Sequence, residues 1–202
     1  MKVGVFAVLF SSMPLEEAMD YIKAAGCDAV EIGTGCYPGG AHCPLDELVA
    51  DAAKAKAWMK KITDRGLEIS ALSCHGNPIH PDAAFAKEHA DIFRKTIDLA
   101  SMLGIETVIN FSGCPGDQPG AKYPNWVTCP WPPDFGEILD YQWNTVAIPY
   151  WKEMNGYLKS KGVRAALEMH PGFLVYSTDT MLRLRETCGE QIGANFDPSH
   201  LF

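Results

Sequence analysis

Two short segments of the sequence carry carboxylate and imidazole side chains close together, each directly after an apolar run. In the segment Ala-Leu-Glu-Met-His-Pro-Gly, Glu168 stands two residues before His170. In the segment Gly-Ala-Asn-Phe-Asp-Pro-Ser-His, Asp197 stands three residues before His200, which could turn back toward it. Carboxylates combined with imidazole suit a divalent ion such as Mn²⁺, Mg²⁺, Co²⁺ or Zn²⁺. Because an unpaired carboxylate beside a buried strand is costly, Glu168 and Asp197 are the first functional candidates.

A second set of residues stands where a substrate could be held, at the ends of predicted strands or in a long loop. Each has a structural alternative: a solvated carboxylate or ion pair for Glu31, a loop cap for His75, and pairing with backbone groups for Asn110. Trp126 could cover the apolar face of a sugar ring or simply pack its loop. We assign substrate binding to Glu31, His75, Asn110, Trp126, His170 and His200. His89, on the apolar stripe of a helix, is interpreted as structural.

These side chains need a scaffold, and a repeating pattern of helix, glycine and short apolar strand supplies one. Five predicted helices end at a glycine, which adopts the left-handed conformation at little cost: Gly26, Gly66, Gly104, Gly162 and Gly189. Prolines mark three helix starts: Pro14, Pro44 and Pro81. The apolar period predicts that the first two helices face the core with two stripes, Leu15, Ala18, Met19 and Ile22, then Leu45, Leu48, Val49, Ala52, Met59 and Ile62. After a first strand from Val3, the predicted strands are residues 29–32, 69–72, 107–111, 164–167 and 192–196.

Buried strands that alternate with helices predict a parallel sheet, and two α/β folds could contain it. The first strand is not followed by a Gly-x-Gly-x-x-Gly loop, which disfavours a doubly wound sheet. We therefore predict a TIM (β/α)8-type barrel, with about six of its eight units present, as one domain over residues 1–202. In such a barrel the functional residues lie where the strands end, as the candidates do.

Two long stretches are expected to be irregular. Residues 112–140 contain Trp126, Trp131 and six prolines, which predicts an ordered lid over the strand ends. The helix predicted over residues 141–161 should kink or restart at Pro149.

The composition excludes several classes of protein. A net charge of −8, with no cluster of lysine and arginine, disfavours a nucleic-acid partner. Seven scattered cysteines without a Cys-x-x-Cys pair favour a reducing cytoplasm over a disulfide framework or a zinc knuckle. No apolar segment reaches the length of a membrane span, and the apolar run from Val3 is short for a signal peptide.

The two acidic segments, supported by Ser-Cys-His-Gly-Asn at residues 73–77, resemble the sugar phosphate isomerase/epimerase family of xylose-isomerase-like TIM barrels. That group also includes inosose dehydratases and apurinic endonucleases. The resemblance implies that Glu168 and Asp197 are metal ligands and that Glu168 also moves a proton. It further implies that His200 binds substrate or, in endonuclease-like members, metal. Mn²⁺ is the ion that we expect.

The resemblance also reveals a difference from the family. Its members have eight strands and take a further histidine ligand and a second glutamate from the last two, whereas this chain contains about six units. We therefore expect a C-terminally incomplete barrel, either a fragment or one completed by a partner chain. A homo-oligomer is left open.

The leading hypothesis for function is proton transfer next to the carbonyl of a sugar or sugar-like polyol, through an enediolate. This is the chemistry of a metal-dependent isomerase or epimerase. One alternative is a metal-dependent dehydratase or lyase acting on a keto-sugar or keto-inositol. The other is a non-catalytic sugar-binding barrel. The acidic balance disfavours the apurinic endonuclease.

Overall fold

The computed structural model describes residues 1–201, in which six strands alternate with helices. The strands agree with the predicted positions to within two residues at each end. They are β1 (Gly4–Phe6), β2 (Ala29–Gly33), β3 (Glu68–Ser73), β4 (Thr107–Asn110), β5 (Arg164–Glu168) and β6 (Ile192–Asn195). The α-helices are α1 (Leu15–Ala24), α2 (Leu45–Ala50), α3 (Ala52–Thr63), α4 (Ala83–Leu103), α5 (Pro133–Asp140), α6 (Ile148–Lys161) and α7 (Thr178–Cys188).

The described chain divides into two compact units. The first comprises residues 1–75, 92–109 and 161–163, and the second comprises residues 76–91, 110–160 and 164–201. Strand order follows chain order, as in a barrel of the TIM type. Strands β1, β2 and β3 and residues 107–109 of β4 lie in the first unit, and β5 lies next to β6 in the second. The pairs β1–β2, β2–β3, β3–β4 and β5–β6 are parallel. The prediction of a single domain stays a prediction.

In the first unit, helices α1 and α3 bury one face each. The buried face of α1 is the predicted one, with Ala18, Met19 and Ile22. The buried residues of α3 are Ala55, Trp58 and Ile62, whereas Ala52, which we expected in the core, is exposed. The shift has a local cause, which lies in the residue that precedes α3.

Asp51 separates two helices where the sequence predicted one. Its backbone is extended, with φ −141° and ψ 105°, and its carboxylate accepts hydrogen bonds from the N–H groups of Ala53 and Lys54. These bonds satisfy donors that the first turn of a helix leaves unpaired, so α3 begins anew instead of continuing α2. Helices α2 and α3 are therefore separate elements.

The predicted glycine and proline signals hold with two differences. Gly26, Gly66, Gly104 and Gly162 have φ between 67° and 88°, as expected after a helix, whereas Gly189 has φ 132° and ψ 173°. Pro14 and Pro44 directly precede the first residues of α1 and α2. The third helix, α4, begins at Ala83, two residues after Pro81, and the Asp82 carboxylate accepts hydrogen bonds from the backbone N–H groups of Ala84 and Phe85.

The segment before β5 differs from its predicted form. Helix α5 occupies the last part of the expected loop over residues 112–140, so the irregular connection ends at Pro132. A π-helical segment, Tyr141–Ala147, then leads into α6. Helix α6 starts at Ile148 and follows the π-helical segment with no intervening residue, so the predicted kink or restart at Pro149 stays a prediction.

The core of the second unit forms around α6 and the β5–β6 pair. Trp151, Met154 and Leu158 are completely buried along one face of α6, and Leu167 is completely buried in β5. The Trp151 indole N–H donates to the backbone oxygen of Ser112 at 3.0 Å, which fixes the start of the long connection. Within residues 1–201, no helix is both long and apolar enough to cross a membrane.

Candidate functional site

The carboxyl ends of β5 and β6 bring the predicted acidic residues together in the second unit. Glu168 and Asn195 end their strands at the same register. Asn195 Nδ2 donates to Glu168 Oε2 at 2.9 Å, and Glu168 Oε1 lies 3.3 Å from His200 Nε2. The two oxygens of one carboxylate therefore face two different groups. The side chain of Glu168 is 14% exposed, so the carboxylate is largely shielded from solvent but not completely buried.

Asp197 follows β6 in a tight turn that returns the chain to the same place. Its Oδ1 accepts from the Ser199 backbone N–H at 2.8 Å, and its Oδ2 lies 3.4 Å from His200 Nε2. The hydrogen bonds from the hydroxyl and backbone N–H of Ser199, with the nearby His200 and His170, hold the pKa of the Asp197 carboxyl below its ordinary value. The prediction that His200 turns back toward Asp197 is confirmed.

His170 lies beside His200, with 4.1 Å between ring centroids. Its Nδ1 is 2.6 Å from the backbone oxygen of Pro171. Since a carbonyl oxygen only accepts, Nδ1 carries the proton and Nε2 of the neutral ring keeps its lone pair. Phe111 and Phe173 pack against the same ring at 5.1 and 5.7 Å, which holds it in place.

This cluster has the composition and spacing of a divalent-metal site. Glu168, His170 and His200 each offer one ligand atom, and these atoms lie within 4.8 Å of one another. Ligands bound at about 2.0–2.2 Å lie roughly 3.0–3.5 Å from their neighbours around the ion. The separations of His200 Nε2 from Glu168 and from Asp197 fall in that range. Metal-binding histidines commonly donate their other ring nitrogen to a carbonyl, as His170 does.

Trp126 lies against the loop that carries His170. Its indole N–H donates to the backbone oxygen of Phe173 at 2.9 Å, and its ring meets Tyr176 edge-on at 5.5 Å. The side chain stays 41% exposed, so part of its apolar surface is available to a ligand. Both alternatives weighed for this residue remain compatible with that position.

Asn110 ends β4 and is 1% exposed. Its Oδ1 accepts from the backbone N–H groups of Gly76 and Phe111, both at 2.8 Å. Pairing with backbone groups, the structural alternative, is therefore present. Its Nδ2 is a buried donor with no hydrogen-bond partner among the described residues.

The remaining candidates are described within their own units. Glu31 and His75 belong to the first unit, where Glu31 is half-buried in β2 and His75 is buried with its ring 5.9 Å from Phe6. His89 has the structural role that we expected: its Nδ1 accepts from the backbone N–H of Asn77. The site residue that sequence reasoning missed is Asn195. Its signal was available, since it ends β6 as Glu168 ends β5.

Comparisons with known proteins agree with this architecture. The family model described as xylose isomerase-like TIM barrel matches residues 19–202. The "Uncharacterized protein YfiH" of Bacillus subtilis (strain 168) is 39% identical over 204 residues, which cover 100% of this chain and 65% of that protein. The chain thus spans just under two thirds of that relative's length.

Solved structures share the fold at low sequence identity. A D-tagatose 3-epimerase-like protein aligns with a TM-score of 0.66 and 21% identity, covering 100% of this chain and 66% of that one. A D-psicose 3-epimerase, solved with D-fructose, aligns with 0.65 and 13% identity, over 100% and 65%. A xylose isomerase-like TIM barrel protein from Mycobacterium smegmatis, in complex with magnesium, aligns with 0.67 and 17% identity, over 99% and 65%.

Proposed function

Because the chain belongs to the xylose isomerase-like TIM barrel family, we propose that it acts as a divalent-metal-dependent isomerase or epimerase on a sugar or sugar-like polyol. The observation that carries the proposal is the carboxylate of Glu168, which is fixed by Asn195 on one oxygen and faces His200 with the other. The names of the structural neighbours, which include tagatose, psicose and ribulose 3-epimerases, support the same kind of reaction.

Glu168, Asp197 and His200 would hold the ion, and Mn²⁺ is the first candidate, with Mg²⁺, Co²⁺ or Zn²⁺ as others. When bound, a divalent ion supplies Lewis-acid stabilisation of negative charge on substrate oxygens. Two carboxylates would balance the charge of the ion. His170 stands close enough to serve as a ligand in place of Asp197, or to contact the substrate as predicted from the sequence.

Glu168 would also take and return the proton on the carbon next to the substrate carbonyl. The bond from Asn195 to Oε2 holds the carboxylate plane, so Oε1 keeps one orientation toward the site. Positioned general bases of this kind need a fixed approach to the carbon that they deprotonate. Trp126 and Asn110 would contact the sugar, and the assignment of Glu31 and His75 to substrate binding stays a prediction.

Deuterium exchange tests the proposal directly. The purified chain would be incubated with Mn²⁺ and D-psicose, D-tagatose or D-fructose in D₂O, and the recovered sugars analysed by NMR. We expect solvent deuterium next to the carbonyl and an aldose–ketose isomer, because one carboxylate can return the proton to the neighbouring carbon on the same face, whereas inversion needs a second acid. Glu168→Gln should abolish both, whereas Glu186→Gln, an exposed change on α7, should leave them intact.

Other outcomes would overturn the proposal. Loss of water from the sugar would indicate the dehydratase or lyase chemistry. Metal-dependent sugar binding with no label in the recovered sugar would indicate the non-catalytic barrel.

We propose a cytoplasmic location as well, because seven scattered cysteines without a Cys-x-x-Cys pair suit a reducing compartment. Cell fractionation with detection of the protein tests that location.

A further inference from the structure

The connection between β4 and α5 contains a closed loop over residues 115–125. The backbone N–H of Asn125 donates to the oxygen of Pro115 at 2.9 Å, so the two ends of the loop meet. Its interior is packed tightly, since a Cβ added at Gly116 would lie 2.4 Å from the Cβ of Ala121. Compact surface loops with joined ends are Ω-loops, which frequently serve function.

Gln142 reaches this Ω-loop from the π-helical segment and bonds to both of its ends. The side chain is completely buried. Its Nε2 donates to the backbone oxygens of Asn125 at 2.6 Å and Gly116 at 3.1 Å, with that of Pro115 at 3.5 Å. Because all three neighbours are acceptors, the amide nitrogen must face the loop. A long polar side chain is thus buried in order to bond to loop backbone.

Gln142 lies in the π-helical segment, beside a stripe of buried apolar residues. Trp143, Ala147, Trp151, Met154 and Leu158 form the continuous buried stripe of the helical segment. Gln142 precedes that stripe by one residue and is equally buried. A π turn holds more residues than an α turn, and such turns are frequent at functional sites.

A short path of contacts links Gln142 with the candidate site. Trp126 follows the loop residue that Gln142 holds, and its indole N–H donates to the backbone oxygen of Phe173. The ring of Phe173 meets that of His170 edge-on, with 5.7 Å between centroids. The position of the loop end therefore determines where Trp126 lies relative to His170.

We propose that Gln142 is a positioning residue that closes the Ω-loop and thereby holds Trp126 beside His170 for contact with a sugar ring. The sugar contact rests on the proposed function. Gln142 itself touches no substrate and acts only through Trp126. An indole held in advance binds a ring with less loss of side-chain entropy than a free one.

Two substitutions separate hydrogen bonding from packing. Gln142→Met keeps a side chain of similar length without donors, and Gln142→Glu keeps the shape while replacing the donor by an acceptor. Asn144→Ala, in the same π-helical segment, is the matched control, since Asn144 is exposed and donates to Asp140. Hydrogen exchange of residues 115–126 would be measured in the whole folded chain.

We expect both Gln142 variants to raise exchange in the loop and at the Trp126 indole N–H about tenfold, with Asn144→Ala unchanged. For a sugar whose proton the chain exchanges with the solvent, KM should rise about tenfold, while kcat and Mn²⁺ affinity stay within about twofold. If the loop exchanges hydrogen as slowly in Gln142→Met as in the wild type, packing alone holds the loop, and the proposal is overturned. Faster exchange with an unchanged KM would overturn the role in sugar contact.

The experiment still tests the role of Gln142 if the wild-type chain exchanges no sugar proton with the solvent. That result would reject the proposed function and, with it, the sugar contact of Trp126. The exchange data would still decide whether Gln142 holds the loop: unchanged protection of the Trp126 indole N–H in both variants would reject that part too.

Discussion

Asn195 and Glu168 occupy the last positions of neighbouring parallel strands, and the Asn195 amide donates a 2.9 Å hydrogen bond to Glu168 Oε2. The bond leaves Oε1 directed at His200, so the two strand ends act as one unit. In metalloproteins, mutation of a residue that holds a metal ligand in this way typically costs about 10–100-fold in metal affinity or activity.

Asn195→Ala should lower Mn²⁺ affinity about tenfold, because the Glu168 carboxylate would lose the bond that fixes its plane. Isothermal titration calorimetry of the purified chain would measure the change. Asn144→Ala serves as the control, since it removes an exposed asparagine elsewhere in the second unit. Equal affinity in wild type and Asn195→Ala would show that Asn195 does not orient a metal ligand.

In the proposed metal site, the third ligand can be identified by comparing Asp197→Ala with His170→Ala. We expect the first to lower Mn²⁺ affinity at least about tenfold, because a second carboxylate helps to neutralise a divalent ion. The second should leave the affinity within about twofold and raise KM for the sugar. Titration of both variants with Mn²⁺ gives the answer, and the reverse pattern would assign the ligand role to His170.

The sequence predicts the scaffold of the molecule because its signals are local. Glycines at helix ends and apolar runs between them were enough to place all six strands. The break at Asp51 was missed, since a capping aspartate and a continuing helix have similar apolar patterns. Helix α5 was missed because prolines, which mark loops, also occur in the first turn of helices.

The site was predictable only in part, for a related reason. Parallel strands end at the same edge of a sheet. The proximity of Glu168, Asp197 and His200 could therefore be predicted before any contact was known. The role of Asn195 depends on strand register, and that of Gln142 on a π turn and a distant loop. Register and long-range closure are tertiary properties that no local pattern specifies.

His89 should make stability depend on pH. Burial, assisted by the nearby His80 and opposed by Glu88, lowers the pKa of His89 below its ordinary value. Its Nδ1 also accepts a bond from Asn77, which the neutral ring alone can do. A group with a lowered pKa of this type contributes stability above its unfolded pKa, near 6.5, and loses it as pH falls through the folded pKa.

His89→Gln should therefore flatten the acid side of the stability curve. Glutamine can accept the same bond without titrating, so the urea midpoint should fall less between about pH 7.5 and pH 5 than in wild type. Chemical denaturation followed by circular dichroism at several pH values would test this. Parallel curves for the two proteins would mean that His89 titrates alike in the folded and unfolded states.

Gly113 and Gly120 offer a pair of positions for measuring how closely the start of the connection between β4 and α5 is packed. Both have positive φ, 84° and 78°, so alanine strains the backbone at either position. A Cβ at Gly113 would lie 2.4 Å from Cγ1 of Ile79 and 2.9 Å from Oδ1 of Asn77, whereas one at Gly120 meets nothing within 4 Å. Both substitutions therefore strain the backbone, but only the one at Gly113, which is buried, also adds steric overlap.

Gly120→Ala should lower the free energy of unfolding by about 1 kcal/mol, through backbone strain. Gly113→Ala should lower it by about 3 kcal/mol, because overlap adds to the strain. It should also disturb the Asn77 side chain, which accepts from the backbone N–H of Cys114 and donates to its oxygen. Urea denaturation of both variants would measure the difference. Equal losses would show that Ile79 and Asn77 move aside freely, and that the start of the connection is less tightly packed than these contacts indicate.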